Sequence, residues 1–99
     1  MNREEYLIYC LLYAIDAAGV KKQNLVQMAL KVDAVNFVRI YNLIQQHDEE
    51  TRMSVITSNL DVFNKDDIKE EIRNIFLADM ESDIQESVVE VLDVFLYHK

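Results

Sequence analysis

The stretch YLIYCLLYAI, Tyr6 to Ile15, contains no charged side chain. A helix through this stretch is apolar or aromatic on every side, and a helix that is apolar all round is normally buried on all sides. Asn2, with Glu5 three residues later, resembles a capping box that begins such a helix. Gly19, the only glycine, stands where a left-handed residue commonly ends one. We therefore predict a central helix, from about Asn2 to Ala18, with the rest of the chain packed around it.

Bulk composition favours a single all-α domain. The chain has 99 residues, 51% of them hydrophobic, which is enough for one domain with one core. It has no proline and one glycine, whereas sheet proteins of this size normally need many turns made of those residues. The sequence therefore predicts one domain over residues 1–99, a compact bundle of five to six helices around a buried N-terminal helix.

Apolar residues recur at helical spacing through the remaining chain, between polar stretches and candidate N-caps at Asp33, Asn64 and Ser82. Ser82 with Gln85 resembles a second capping box. The predicted inner faces are, in chain order, Leu25, Met28, Ala29 and Val32; Val35, Phe37, Val38, Tyr41 and Ile44; Met53, Ile56, Leu60 and Phe63; Ile68, Ile72, Ile75 and Phe76; and Ile84, Val88, Val91, Leu92 and Phe95. Val89, Val94 and Leu96 widen the last stripe, and we predict that its helix is the main partner of the first.

The formal net charge of −8 bears on the class of partner. Nucleic-acid binding and docking on anionic membranes both depend on basic surface, so we expect neither. The N-terminus begins with acidic residues, unlike the basic start of a signal peptide, and the apolar stretch is shorter than the about 20 residues that span a bilayer. We expect a cytoplasmic protein that binds another protein and holds no cofactor.

Three residues with reactive side chains carry structural interpretations. Cys10 is the only cysteine and lies within the apolar stretch, which predicts a small buried hydrophobe without a disulfide. His47 stands at a predicted helix end, where a basic group suits the helix dipole. His98 is the penultimate residue. No spacing of the H-x-x-x-H kind indicates a metal or catalytic role for the two histidines.

Acidic residues are frequent in the last third of the chain. Asp79, Asp83, Glu86 and Glu90 follow one another at steps of four, three and four, so a continuous helix brings them onto one face. Carboxylate oxygens in such a group suit a hard divalent cation such as calcium. The alternative is a solvated outer face opposite the apolar stripe of the last helix.

Tyr6, Tyr9 and Tyr13 share one side of the first helix, at steps of three and four. One interpretation is a core lining whose hydroxyl groups reach the rim of the fold. The other is a face for self-association or for a partner protein, because interfaces are enriched in tyrosine. The sequence leaves both interpretations open.

Two stretches of the chain are similar to one another. Leu12–Val20 ends a helix with Ala and Asp and is followed by a polar link to Leu25–Met28, and Ile75–Asp79 is followed in the same way by Glu81–Ile84. This arrangement resembles the tellurite-resistance TerB-like family, an all-helical domain with Ala-Asp-Gly turns followed by Glu.

The resemblance implies an all-helical scaffold and a divalent-cation-binding function. The sequence departs from the family pattern at both turns, because Ala17 follows Asp16 and Met80 follows Asp79 where glycine is expected. The acidic pattern is also changed, because Asn24 and Val88 stand about where the family's later acids are expected. These departures affect the divalent-cation-binding function that the resemblance implies.

Three functions from different classes follow from these observations. The first is a non-enzymatic intracellular helical protein–protein interaction domain that self-associates, as a dimer, through the tyrosine face. The second is an acidic inhibitor or immunity-type protein that binds a basic partner by charge complementarity. The third is a TerB-like domain that binds a divalent cation.

Overall fold

The first helix, α1 (Arg3–Ala18), is the buried centre of the fold. In the computed structural model, which describes residues 1–97, the predicted capping box is complete: Asn2 and Glu5 each accept a hydrogen bond from the other's backbone N–H. Gly19 ends the helix with φ 72°, a left-handed conformation that glycine adopts without strain. Every residue from Tyr6 to Ile15 is buried, which confirms the central prediction.

Five further α-helices surround α1. They are α2 (Leu25–Ala29), preceded by a 3-10 turn (Lys22–Asn24), α3 (Ala34–Gln46), α4 (Glu49–Ser58), α5 (Lys65–Glu71), which continues as a π-helical segment (Ile72–Leu77), and α6 (Ser82–Tyr97). Residues 1–97 contain no strand. The Cα radius of gyration is 12.2 Å, close to the about 13 Å of a compact 100-residue domain. The predicted all-α fold of about six helices is confirmed.

Short polar side chains set the starts of the middle helices. Asp33 accepts hydrogen bonds from backbone N–H groups in the first turn of α3, Asp48 does so for α4 and Asn64 for α5. Each such cap satisfies a donor that has no partner within the helix and stabilises it by about 1 kcal/mol. The predicted caps at Asp33 and Asn64 are therefore confirmed.

Helix α1 lies between α6, with which it makes the most extensive contact, and α3. Both neighbours present residues three or four positions apart, which is the spacing of one helical face. These inward residues are Val88, Leu92 and Leu96 of α6 and Phe37, Ile40 and Ile44 of α3. The predicted pairing of the first and last helices is confirmed.

Helix α4 is shorter than predicted. It ends at Ser58, and the side-chain amide of Asn59 donates to the Val55 carbonyl at 2.8 Å in its last turn. Leu60 and Phe63 therefore lie in the turn after the helix. Phe63 still reaches the core from this turn, because its ring stacks on Tyr6 with 5.1 Å between the ring centroids.

Other predicted inner faces are wrong in part. Val35 and Val38 are exposed, because α3 presents the side that carries Phe37 and Ile40 to α1. Val94, predicted to widen the stripe of α6, is also exposed, because Val88, Leu92 and Leu96 form the buried side of that helix. The π-helical segment has a wider turn than an α-helix. Within it Phe76 is buried and the predicted core residue Ile75 is exposed.

The second predicted capping box is not formed. The side-chain amide of Gln85 donates at 2.7 Å to the carbonyl of Met80 instead of accepting from the backbone at Ser82.

Candidate functional site

The tyrosine row of α1 faces the interior. Tyr6, Tyr9 and Tyr13 are buried, although steps of three and four placed them on one side of the helix. The Tyr6 ring packs on Phe63, and the Tyr13 ring stacks on Phe95 of α6 at 4.1 Å between centroids. The interpretation of these tyrosines as an exposed partner face is therefore wrong, because later segments cover all three rings.

Each tyrosine hydroxyl has a hydrogen-bond partner at the α3–α4 side of α1. The Tyr6 hydroxyl donates to the Ile56 carbonyl at 2.8 Å. The Tyr9 hydroxyl shares a hydrogen bond with Nδ1 of His47 at 2.7 Å, and the Tyr13 hydroxyl donates to Oε1 of Glu49 at 2.6 Å. These bonds explain how tyrosine is accommodated in a core, since a buried hydroxyl without a partner is costly.

Arg52 of α4 completes this polar cluster at the α3–α4 junction. Its Nε and a terminal nitrogen donate to the Ile44 carbonyl near the end of α3, at 3.1 and 2.9 Å. Its other terminal nitrogen donates to Asp16 at 2.9 Å, and the guanidinium lies 5.7 Å from the centroid of the Tyr13 ring. The arginine therefore joins α1, α3 and α4, a role that its place in the sequence did not indicate.

The tyrosine hydroxyls of the polar cluster stay protonated at neutral pH. Burial raises the pKa of Tyr9 to about 12, so its hydroxyl stays protonated at neutral pH. Burial, followed by the hydrogen bond to Glu49, raises the pKa of Tyr13 as well. A general acid or base works best with a pKa near the operating pH. The hydrogen bonds of the cluster therefore connect α1, α3 and α4, and neither Tyr9 nor Tyr13 is prepared for proton transfer at neutral pH.

Cys10 lies in the core beneath the tyrosine row. Burial raises the pKa of its thiol to about 12, which leaves almost no thiolate at neutral pH. Because the thiolate is the reactive form, this cysteine is not a nucleophile in the folded protein.

The structure describes one of the two histidines. His47 is half-buried against Tyr9 and ends α3. His98 lies outside the described residues.

The acidic residues proposed for a cation do not share one helical face. The chain leaves the helix after Leu77 and α6 begins at Ser82, so Asp79 lies in the intervening turn. There it forms an ion pair with Lys31 at 2.6 Å. Asp83, Glu86 and Glu90 are exposed on α6.

Residues 1–97 contain no group of three or more Asp, Glu, His or Cys side chains placed to hold a metal ion. The geometry assumed for the cation site was therefore wrong, because it required an unbroken helix.

Two clefts open near the C-terminal end of α1. The larger, of about 600 Å³, lies between residues 18–27 and residues 79–87 and is lined by Lys21, Asp79, Glu81 and Asp83 among others. The smaller, of about 170 Å³, lies beside Tyr41 and Ile44 of α3. No histidine or cysteine of the described chain lines either cleft, and the larger has no group of acids placed to bind a metal.

The surface feature that the sequence analysis missed lies on α2 and α3, which pack against each other. Four aliphatic side chains of α2, the turn after it and α3 are exposed, and together we call them the α2–α3 face: Val26, Leu30, Val35 and Val38, with exposed fractions of 65, 77, 80 and 54%. Val26 and Leu30 were detectable as apolar residues outside the predicted inner stripe of α2. Val35 and Val38 were not, because their spacing predicts a place in the core.

Among the described residues, no helix combines the length and the apolar character needed to cross a membrane. Comparisons with models of known protein families, with curated proteins and with solved structures find no match for this chain. The resemblance to the TerB-like family therefore stays a prediction.

Proposed function

We propose that this chain is a non-enzymatic protein–protein interaction domain of the cytoplasm. The observation that carries the proposal is the α2–α3 face, where four large aliphatic side chains are more than half exposed. Single exposed apolar residues are ordinary, whereas a group on two packed helices is typical of a binding surface. In contrast, the polar groups that converge in this fold hydrogen-bond to each other and connect helices.

Site-specific photocrosslinking in the native cell tests this function. A benzophenone amino acid replaces Leu30 on the α2–α3 face in one variant and Val94, an exposed residue of α6, in the control. We expect discrete protein adducts from position 30 and only diffuse background from position 94. Equal patterns from the two positions would remove the basis of the proposal.

A second candidate function, an acidic inhibitor or immunity-type protein, is favoured by the distribution of charge. Six ion pairs form within residues 1–97, each with a different basic residue, whereas the chain has 18 acidic residues. Asp83, Glu86 and Glu90 of α6 are exposed and form none of these ion pairs. Such a surface attracts a basic partner and accelerates its association at low salt.

Neutralising the α6 acids tests this second candidate. The variant Asp83→Asn, Glu86→Gln, Glu90→Gln is compared with a control that removes the same charge elsewhere, Glu50→Gln, Asp61→Asn, Asp67→Asn. The protein is used to capture partners from the native cell at low and high salt. We expect a captured basic protein to be lost at high salt and with the α6 variant only. Absence of any salt-sensitive basic partner would reject this candidate.

A further inference from the structure

The α2–α3 face differs from the rest of the surface in its concentration of apolar side chains. Val26 and Leu30 are four residues apart on α2 and the turn after it, and Val35 and Val38 are three apart on α3, so each pair shares one side of its helix. The other exposed large hydrophobic residues of the described chain are spread over separate elements: Met1, Val62, Ile75 and Val94.

The charge of this region also differs from that of the remaining chain. Residues 17–47 contain four basic residues and one acid, Asp33, a net charge of +3, whereas the other residues contain six basic and 17 acidic residues, a net charge of −11. Two copies of such a molecule repel each other in most orientations. The region around α2 and α3 carries no net negative charge in its sequence, so it does not contribute to the repulsion between the acidic parts of two copies.

Ion pairs from other elements bring the local charge close to balance. Lys31 binds Asp79 in the turn before α6, and Arg39 binds Glu5 of α1. The remaining charges within residues 17–47 are the basic Lys21 and Lys22 and the acidic Asp33, which is the α3 cap. Glu4 of α1 also lies against this region, because it accepts a hydrogen bond from Asn36 of α3. The α2–α3 face therefore combines four exposed aliphatic side chains with a nearly balanced local charge, so two copies can approach each other there without strong repulsion.

We infer that the α2–α3 face binds a second copy of this chain in a two-fold symmetric dimer. This inference rests on the proposed interaction function and names the partner. In an isologous dimer the same four aliphatic side chains of each copy face each other, and the acidic α6 surfaces are not required to meet.

The size of the face sets the strength of the dimer. Its four exposed aliphatic residues are far fewer than the roughly 20–30 residues that each partner contributes to a standard stable interface. We therefore expect a reversible dimer with a dissociation constant in the micromolar to millimolar range.

Sedimentation equilibrium of the full chain, from about 10 µM to about 1 mM, tests the inference. The double variant Leu30→Glu, Val38→Glu places charge on the α2–α3 face. Its matched control, Val62→Glu, Val94→Glu, adds the same charge at exposed aliphatic positions elsewhere. We expect the wild type and the control to dimerise within about threefold of each other, and the face variant to dimerise at least about 100-fold more weakly.

A milder variant, Leu30→Ser with Val38→Ser, keeps the test valid if the glutamates disturb folding, and far-ultraviolet circular dichroism verifies the helical content of each protein. A wild type that stays monomeric up to about 1 mM would overturn the inference. Equal weakening of dimerisation in the face and control variants would overturn it as well, because charge alone would then account for the effect.

Two further outcomes would reassign the face to another partner. Flotation with vesicles that contain phosphatidylserine tests whether the monomer binds an anionic lipid surface. A wild type that stays monomeric and floats with the vesicles, and whose flotation is lost in the Leu30→Glu, Val38→Glu variant, would overturn dimerisation. Photocrosslinked adducts at position 30 with the mass of a different protein, together with a monomeric wild type, would also overturn the second-copy inference. That last result would leave the proposed interaction function intact.

Discussion

Substitution of Tyr9 separates its structural role from a role in binding. Tyr9 is fully buried in α1, and its hydroxyl is hydrogen-bonded to His47. The change Tyr9→Ala removes a buried aromatic ring, and we expect it to lower the free energy of unfolding by about 3–5 kcal/mol. The change Tyr9→Phe keeps the ring and removes only the hydrogen bond, for which we expect a loss of about 0.5–1.5 kcal/mol.

The measurement is urea denaturation followed by circular dichroism, with the unfolding midpoint and slope fitted for each variant. Tyr41→Phe is the control, because Tyr41 is partly buried and its hydroxyl has no hydrogen-bond partner among residues 1–97. We expect that change to alter stability by less than about 0.5 kcal/mol. A loss below about 1 kcal/mol for Tyr9→Ala, combined with loss of association, would show that the tyrosine row is a partner surface and refute the core assignment.

Three further outcomes follow from the same contacts. Tyr9 has a pKa raised to about 12, so its contribution to stability is complete below the unfolded pKa of about 10 and falls by up to about 2.7 kcal/mol as pH rises through 12. Urea midpoints across this range should fall less steeply in Tyr9→Phe. Arg52→Met should lower the free energy of unfolding by about 1.5–3 kcal/mol, because the Ile44 carbonyl loses a charged donor. Asp16→Asn breaks only the exposed ion pair and should lower it by less than about 1 kcal/mol. Equal losses for the two variants in urea denaturation would contradict this role of Arg52. Gly19→Ala should lower the thermal unfolding temperature, because the left-handed backbone costs alanine about 1–2 kcal/mol. Gly19→Asn should lower it less, since asparagine tolerates the left-handed conformation. Equal unfolding temperatures for the two variants would argue against that conformation.

Local chemistry explains the parts of the fold that the sequence predicted. The buried run of α1 is recognisable because its composition excludes any exposed face, and no tertiary information is needed to see it. The caps at Asn2, Asp33 and Asn64 are equally local, since each bonds to the backbone two or three residues further on. Gly19 is local for the same reason, because a positive φ is an intrinsic preference of glycine.

The sequence did not predict the buried side of a helix, or the end of a helix, where two interpretations fitted the same spacing. Val35 and Val38 fit an apolar stripe as well as Phe37 and Ile40 do, and only the position of α1 decides which of them is covered. Asp79 and Asp83 fit one helical face only if the helix is unbroken, and the chain leaves the helix between them. The π-helical segment could not be predicted from the sequence either, because its altered register is seen in the backbone and not in the spacing of isoleucines.

The helix from Tyr6 to Ile15, enclosed by the rest of one all-α domain, could be predicted from composition alone. Ten consecutive uncharged, largely apolar residues give a helix no side that is favourable to expose to water. The role of the tyrosines in that helix could be seen only in the folded chain, because Ile56, His47 and Glu49 reach their hydroxyls from more than 30 residues away. The tertiary structure also decided which apolar residues were left exposed, since exposure depends on where α1, α2 and α3 pack against each other.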